Sequence, residues 1–196
     1  MTTIIFVRHA DSNRQNHDEL LRELSPRGME DRKRVTEYLS DKKIDAVLSS
    51  PFRRAVDTVA DFAQKYGFEI GLADGFRERE VSGWLADYPA FVKRQWEDFD
   101  YKRPGCESLR EAQSRCAAAL ETVLRRYAGK TVVIGGHGTA ISAVVNYFDN
   151  SFGWKEFEEI EGVMPWIVEL DFDKAGTCKE IRQYDPIQGT MNTHKL

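Results

Sequence analysis

The first apolar cluster falls at residues 3–7, Thr-Ile-Ile-Phe-Val, a β-branched and aromatic run with no turn residue in it. Such a run reads as a buried strand. It ends on Arg8 and His9, so a cation and a titratable ring stand at the exit of a buried strand and must face something polar. A polar loop over 10–25 follows. The spacing then predicts a helix over 26–41, with Ser25 as N-cap and Pro26 at its first position. Residues 44–50 form a second short apolar run, and 51–67 read as a helix with proline near its start and glycine at its end. Residues 68–72 read as a third strand. From 73 to 107 the pattern is irregular and aromatic, with a short helix over 90–99. A long amphipathic helix over 108–127, a strand over 130–136 and a helix over 139–147 come next. Residues 166–173 and 177–185 pair as strands around the turn Asp-Lys-Ala-Gly.

Strands alternating with helices imply an α/β fold: a three-layer α/β/α sandwich whose mostly parallel central sheet carries helices on both faces. No repeat, low-complexity tract or linker interrupts the chain. One domain over 1–196 is therefore expected, with 73–107 as an insertion that covers the substrate. In open sheets of this kind ligands sit beyond the carboxyl ends of the strands. The residues just after each strand then matter most: Arg8 and His9, Ser49 and Ser50 with the arginines behind them, and Gly136, His137 and Gly138.

Charge narrows the partners. A net charge of −4 and the lack of a long basic run argue against nucleic-acid or membrane-surface binding. No apolar stretch approaches the roughly 20 residues that span a bilayer. The first ten residues lack the basic region and small-residue cleavage site of a signal peptide. The three cysteines, Cys106, Cys116 and Cys178, match no metal-site spacing and read as reduced thiols in a cytoplasmic protein.

His9 and His137 are two of the chain's four histidines, and both are expected on one edge of the sheet. Gly136 and Gly138 let the backbone approach a ligand closely. Arg53 and Arg54 lie in the first turn of the second helix, where unpaired amides favour an anion and a guanidinium adds a fork of donors. Arg53 reads more simply as a solvated surface residue. Two guanidiniums, two imidazoles and a helix start suit a dianionic phosphate. A neutral imidazole can attack phosphorus, while the other groups stabilise charge on the equatorial oxygens. A proton donor for the leaving oxygen is also needed. Glu78 and Glu80 are the candidates, since a carboxyl group beside a phosphate dianion is favoured in its protonated form.

These motifs resemble the histidine phosphatase superfamily, the phosphoglycerate mutase-like family. Val-Arg-His-Ala-Asp-Ser over 7–12 is similar to its Arg-His-Gly signature, and Ser-Ser-Pro-Phe-Arg-Arg-Ala over 49–55 to its second motif. The segment 76–84 resembles the one carrying the acid, with Glu78 in register and Trp84 in the usual aromatic place. Pro-Gly-Cys-Glu-Ser over 104–108 and the strand leading to His137 match in order. The resemblance runs over about 4–171. It implies a phosphomonoester hydrolase, independent of metal and cofactor, acting on a small phosphorylated metabolite. His9 would be the phosphorylated nucleophile, Arg8, Arg54 and His137 would hold the phosphoryl group, and Glu78 would be the acid. Asn16 and Gly138 would add substrate contacts. Asn16 is one residue out of register, with Gln15 at the matching position. Ala10 replaces the usual glycine, Asp11 stands where glutamate is common, and Ser82 stands where a glycine is usual. A slip of one residue at Ser82 would make Glu80 the acid.

Two alternatives remain within the family, phosphoglycerate mutase-type phosphoryl transfer and a catalytically weak phosphate binder. The mutases are longer chains with extra basic segments, which favours hydrolysis here. The aromatic residues of 73–107 could cover an organic leaving group. Phe91, Val92, Trp96 and Phe99, at helical spacing, read instead as core. A two-metal phosphoesterase built on His9, Asp11, His17 and Asp18 lacks its remaining ligand clusters. A homodimer is compatible with the chain.

Overall fold

The computed structural model describes residues 1–83 and 85–196; Trp84 lies outside the described residues. Among the described residues, seven strands form one sheet in the order β3-β2-β4-β1-β5-β6-β7. They are β1 (Thr2–Arg8), β2 (Ala46–Ser49), β3 (Ile70–Leu72), β4 (Thr131–Gly136), β5 (Trp166–Phe172), β6 (Cys178–Asp185) and β7 (Thr190–Lys195). The first four run parallel, β5 and β7 run against them, and β6 runs with them.

Period-two burial makes the layers. On β1, Ile4 and Phe6 face one side of the sheet and Ile5 and Val7 the other, and all four are buried. Helices α1 (Pro26–Ser40) and α2 (Arg53–Tyr66) cover the Ile5 side through Val35, Leu39, Val59 and Phe62. The Ile4 side packs against α3 (Tyr88–Glu97), α4 (Leu109–Arg126), α5 (Gly138–Phe148) and α6 (Trp154–Ile160). Phe91, Val92 and Trp96 are buried in that core, with Phe99 packed against it, as their helical spacing predicts.

The caps agree with the sequence. Ser25 Oγ accepts the Gly28 amide at the start of α1, and Ser108 and Glu111 form a capping box on α4. The turn at Asp173 closes with that carboxylate accepting the amides of Ala175 and Thr177. The sequence reading did not include β7, whose Thr-Met-Asn-Thr-His-Lys run is exposed throughout, nor the short α6. A polar edge strand carries no apolar alternation, so nothing local marks it.

Register positions the site. Arg8 pairs with Gly136 across β1 and β4, and Ser49 with Gly135 across β2 and β4. The residues that follow, 9, 50 and 137, therefore leave the sheet at one level on one edge. No helix among the described residues is long and apolar enough to cross a membrane. The three cysteines are buried and unpaired.

Candidate active site

At that edge lies a cavity of about 560 Å³. Its wall includes Arg8, His9, Arg54, Glu78 and Gly138, all predicted from the sequence. His137 is fully buried beside it, its ring 5.4 Å from that of His9.

His9 is held at both ends. Its amide donates to Gly136 O at 3.0 Å, and Nδ1 lies 2.8 Å from Ala10 O. A carbonyl can only accept, so Nδ1 carries the proton and Nε2 keeps a free lone pair in the neutral ring. Burial, reinforced by the charges of Arg54 and Arg8, holds the His9 pKa well below the usual histidine range. His137 is depressed in the same way by burial and then by Arg54 and His9. Its Nε2 lies 2.8 Å from Ser50 Oγ, and its Nδ1 has no partner among the described residues. Both rings are thus neutral at pH 7, the form in which an imidazole is a nucleophile.

The guanidiniums are positioned by backbone. Arg8 Nη1 donates to the carbonyls of Ile160 and Val163, at 2.7 and 3.0 Å, where α6 ends. Its fork lies flat over Gly138. A Cβ there would stand 2.9 Å from Arg8 Cζ and Nε, so a larger residue at 138 must push the guanidinium aside. Arg54, 2% exposed, donates from Nη1 to Glu19 O at 2.7 Å and from Nη2 to Glu19 Oε2 at 2.9 Å. Arg53 is exposed and pairs with Asp57, the solvated alternative. The Nε atoms of Arg8, Arg22 and Arg54 are buried and unpartnered among the described residues. All three side chains line the one cavity.

Glu78 accepts the amides of Arg79, Thr139 and Ala140 at 2.8, 3.1 and 3.0 Å. Its carboxylate therefore caps the first turn of α5, the helix that His137 opens. Glu80 is exposed, with its amide on Glu107 and its carbonyl accepting the Glu107 amide. The cavity receives Glu78 and not Glu80.

Asn16 is not brought to the cavity. Its amide donates to Glu23 Oε2 at 2.8 Å and its carbonyl accepts the Asp18 amide, so the side chain stabilises its own loop. The start of α2, expected to offer amides to an anion, gives the Arg53 amide to Leu20 O instead. Asp11 has a structural role: it accepts from Ser25 Oγ at 2.6 Å, and its carbonyl lies so close to Gly28 that no Cβ fits there. Among the described residues, no group of three or more His, Cys, Asp and Glu side chains is gathered to hold a metal.

Sequence reasoning missed Arg22 and Glu19. Arg22 Nη2 holds both oxygens of Glu19, at 2.6 and 2.8 Å. Both sit in the loop over 10–25, which no periodicity marks. In the structure the Ser25 amide donates to Asp11 O at 3.0 Å, which closes this loop and keeps its cations near the sheet edge.

Comparison with known proteins gives one family. Residues 4–182 match the model of the histidine phosphatase superfamily, branch 1. Phosphoserine phosphatase 1 of Hydrogenobacter thermophilus is 29% identical over 158 residues, covering 74% of each chain. The phosphatase PhoE of Bacillus subtilis is 27% identical over 149 residues, covering 74% of this chain and 76% of that one. Phosphoglycerate mutase-like protein 4 of Arabidopsis thaliana is 29% identical, covering 72% and 68%. Among solved structures, Bacillus stearothermophilus YhfR superposes with a TM-score of 0.76 at 19% identity, over 91% of this chain and 94% of that one. A mycobacterial glucosyl-3-phosphoglycerate phosphatase gives 0.73 at 20% identity, over 86% and 92%. At those identities the two structures speak for the fold.

Proposed function

The chain belongs to the histidine phosphatase superfamily, and from that premise we propose that it hydrolyses small phosphomonoesters through a phosphohistidine at His9. The observation that carries the reading is a neutral His9 ring, lined up with three arginines and Glu78 around one cavity.

The chemistry follows from these groups. His9 Nε2 attacks phosphorus, and the P–O bond to the leaving group breaks in line. Arg8 and Arg54, joined by Arg22, and the His137 ring bind the equatorial oxygens as charge develops there. The Glu78 carboxyl gives a proton to the leaving oxygen. Water then attacks the phosphohistidine, Glu78 takes its proton, and inorganic phosphate departs with His9 restored to the neutral ring. No metal or organic cofactor enters this sequence.

Within a single domain over 1–196, residues 73–107 cover the leaving group, since Glu78, Val81, Gly83, Leu85 and Tyr88 line the cavity. Gly138 contributes close approach. Asn16 stays outside the reading because its side chain is engaged with Glu23. The names of relatives, phosphoserine phosphatase 1 above all, support a soluble small-molecule ester as substrate, without nucleic-acid or membrane partner. Three unpaired cysteines support a cytoplasmic location. A homodimer remains part of the reading, and light scattering on the purified protein reads it.

The test is hydrolysis of p-nitrophenyl phosphate with a metal chelator present. Turnover by the native protein that vanishes in His9→Ala supports the reading. Turnover retained in His9→Ala sinks the assignment of the nucleophile, and turnover lost to the chelator sinks the metal-independent route.

A further inference from the structure

Beyond the phosphate-facing groups the cavity is lined by Ser12, Arg14 and His17 from the loop over 10–25 and by a second set, Val81, Leu85, Tyr88, Phe157, Glu161 and Met164. Four of the second set are apolar; Tyr88 and Glu161 bring one phenol and one carboxylate. Behind Tyr88 stands Arg79, only 3% exposed. Its Nη2 donates to Tyr88 Oη at 3.1 Å and its Nη1 donates to Gln95 Oε1. Both partners are neutral, and Arg79 Nε has none among the described residues. The guanidinium also lies over the Tyr88 and Phe91 rings, at 5.8 and 5.4 Å.

Gln95 is fully buried, and its Nε2 donates to the carbonyls of Tyr101 and Glu107, at 3.0 and 2.9 Å. Its Oε1 can therefore only face Arg79, and Arg79 can only face Tyr88. The chain of bonds ends on the phenol. Because Tyr88 Oη accepts from Arg79, its own O–H is left to donate into the cavity. Burial raises the Tyr88 pKa above the usual tyrosine value, so the phenol keeps that proton. A buried arginine on the acceptor side polarises the O–H further.

We propose that Tyr88 is a specificity-determining donor to a hydroxyl on the leaving group, with Glu161 accepting from that hydroxyl and Arg79 as the positioning residue that aims the phenol. The substrate class is a phosphomonoester of a hydroxylated alcohol. This rests on the phosphatase reading above. A hydroxyl satisfies a donor and an acceptor together, whereas a plain alkyl chain satisfies neither. Sites built to pair a substrate hydroxyl reject analogues that lack it.

The experiment compares kcat/KM for glycerol 1-phosphate and propyl phosphate in the native protein, Tyr88→Phe and Arg79→Met. Circular dichroism checks each fold. The native protein favours the glycerol ester at least tenfold. The ratio falls about tenfold in Tyr88→Phe, the loss expected of one polarised hydrogen bond. It also falls in Arg79→Met, while Arg79→Lys restores part of it; a merely structural role would lower both rates in parallel and leave the ratio alone. A ratio unchanged in Tyr88→Phe overturns the proposal. So does a native ratio near one while p-nitrophenyl phosphate is still hydrolysed. Failure of the native protein to hydrolyse any of the three esters overturns the phosphatase reading, and this inference with it.

Discussion

Replacing Glu19 by glutamine removes a negative charge that two arginines of the anion site share. The carboxylate lies 2.9 Å from Arg54 Nη2 and 2.6 Å from Arg22 Nη2. At about 3 Å, a pair of unit charges attracts by ~1.4 kcal/mol in bulk water and ~5 kcal/mol at an effective dielectric of 20. The Glu19 side chain is 53% exposed, so the watery end of that range applies, at about 1 kcal/mol after screening. Returned to an incoming phosphate, that amount tightens binding by about fivefold. The assay is the inhibition constant of inorganic phosphate against p-nitrophenyl phosphate hydrolysis. Glu19→Gln should lower it about fivefold in 20 mM salt and by less in 500 mM, because salt screens the exposed partner. A second readout carries the opposite sign. Arg54 is almost fully buried and loses its counter-ion, so stability in urea should fall by about 1 kcal/mol. A phosphate constant at low salt that is unchanged or weaker, with urea stability as in the native protein, would refute the view that Glu19 competes for the anion site.

Other substitutions probe the rest of the account. Gly138→Ala places a Cβ 2.9 Å from Arg8 Cζ; kcat/KM should drop about a hundredfold through misplacement of the guanidinium, with urea stability within about 1 kcal/mol of native. Because His9 and His137 have folded pKa values well below the usual 6.5, the unfolded chain takes up protons first as pH falls. Their neutral rings thus contribute stability above about pH 6.5, and it is lost as pH drops from there toward the depressed folded values. Urea unfolding between pH 8 and 5 should show that decline, less steep in His137→Gln; identical slopes would contradict it. Arg182 pairs with Glu169 at 2.9 Å and Asp171 at 2.7 Å, both buried on β5. Arg182→Ala leaves Glu169 with Lys42 and Asp171 with the Thr3 hydroxyl and should cost about 3 kcal/mol in chemical denaturation, while a change under 1 kcal/mol would show that solvent already screens them.

What could be read from the sequence followed the strength of local signals. The runs at 3–7 and 130–136 are buried on both faces, so continuous apolar residues announced them, and parallel pairing then brought His9 and His137 to one edge. Arg54 was legible because Pro51 and the apolar spacing after it set the helix start. Glu78 and Glu80 could not be separated by pattern, since they share parity in an irregular segment; the backbone pairing of Glu80 with Glu107 decides between them. The loop over 10–25 was opaque. Its fold comes from side chains bonding their own backbone, as Asn16 and Asp18 do, which leaves no periodicity and hid both Arg22 and Glu19. Polar β7 was hidden for a similar reason: pairing with β6, not burial, makes it a strand.

The central claim is a covalent phosphate on His9, and trapping it is the most direct measurement. The protein is mixed with a phosphomonoester, quenched in alkali within milliseconds, digested and mapped by mass spectrometry. The account predicts an acid-labile, base-stable phosphate on the peptide carrying His9, absent from His9→Ala. Phosphate on another residue, or turnover with no phosphopeptide at any quench time, would contradict it.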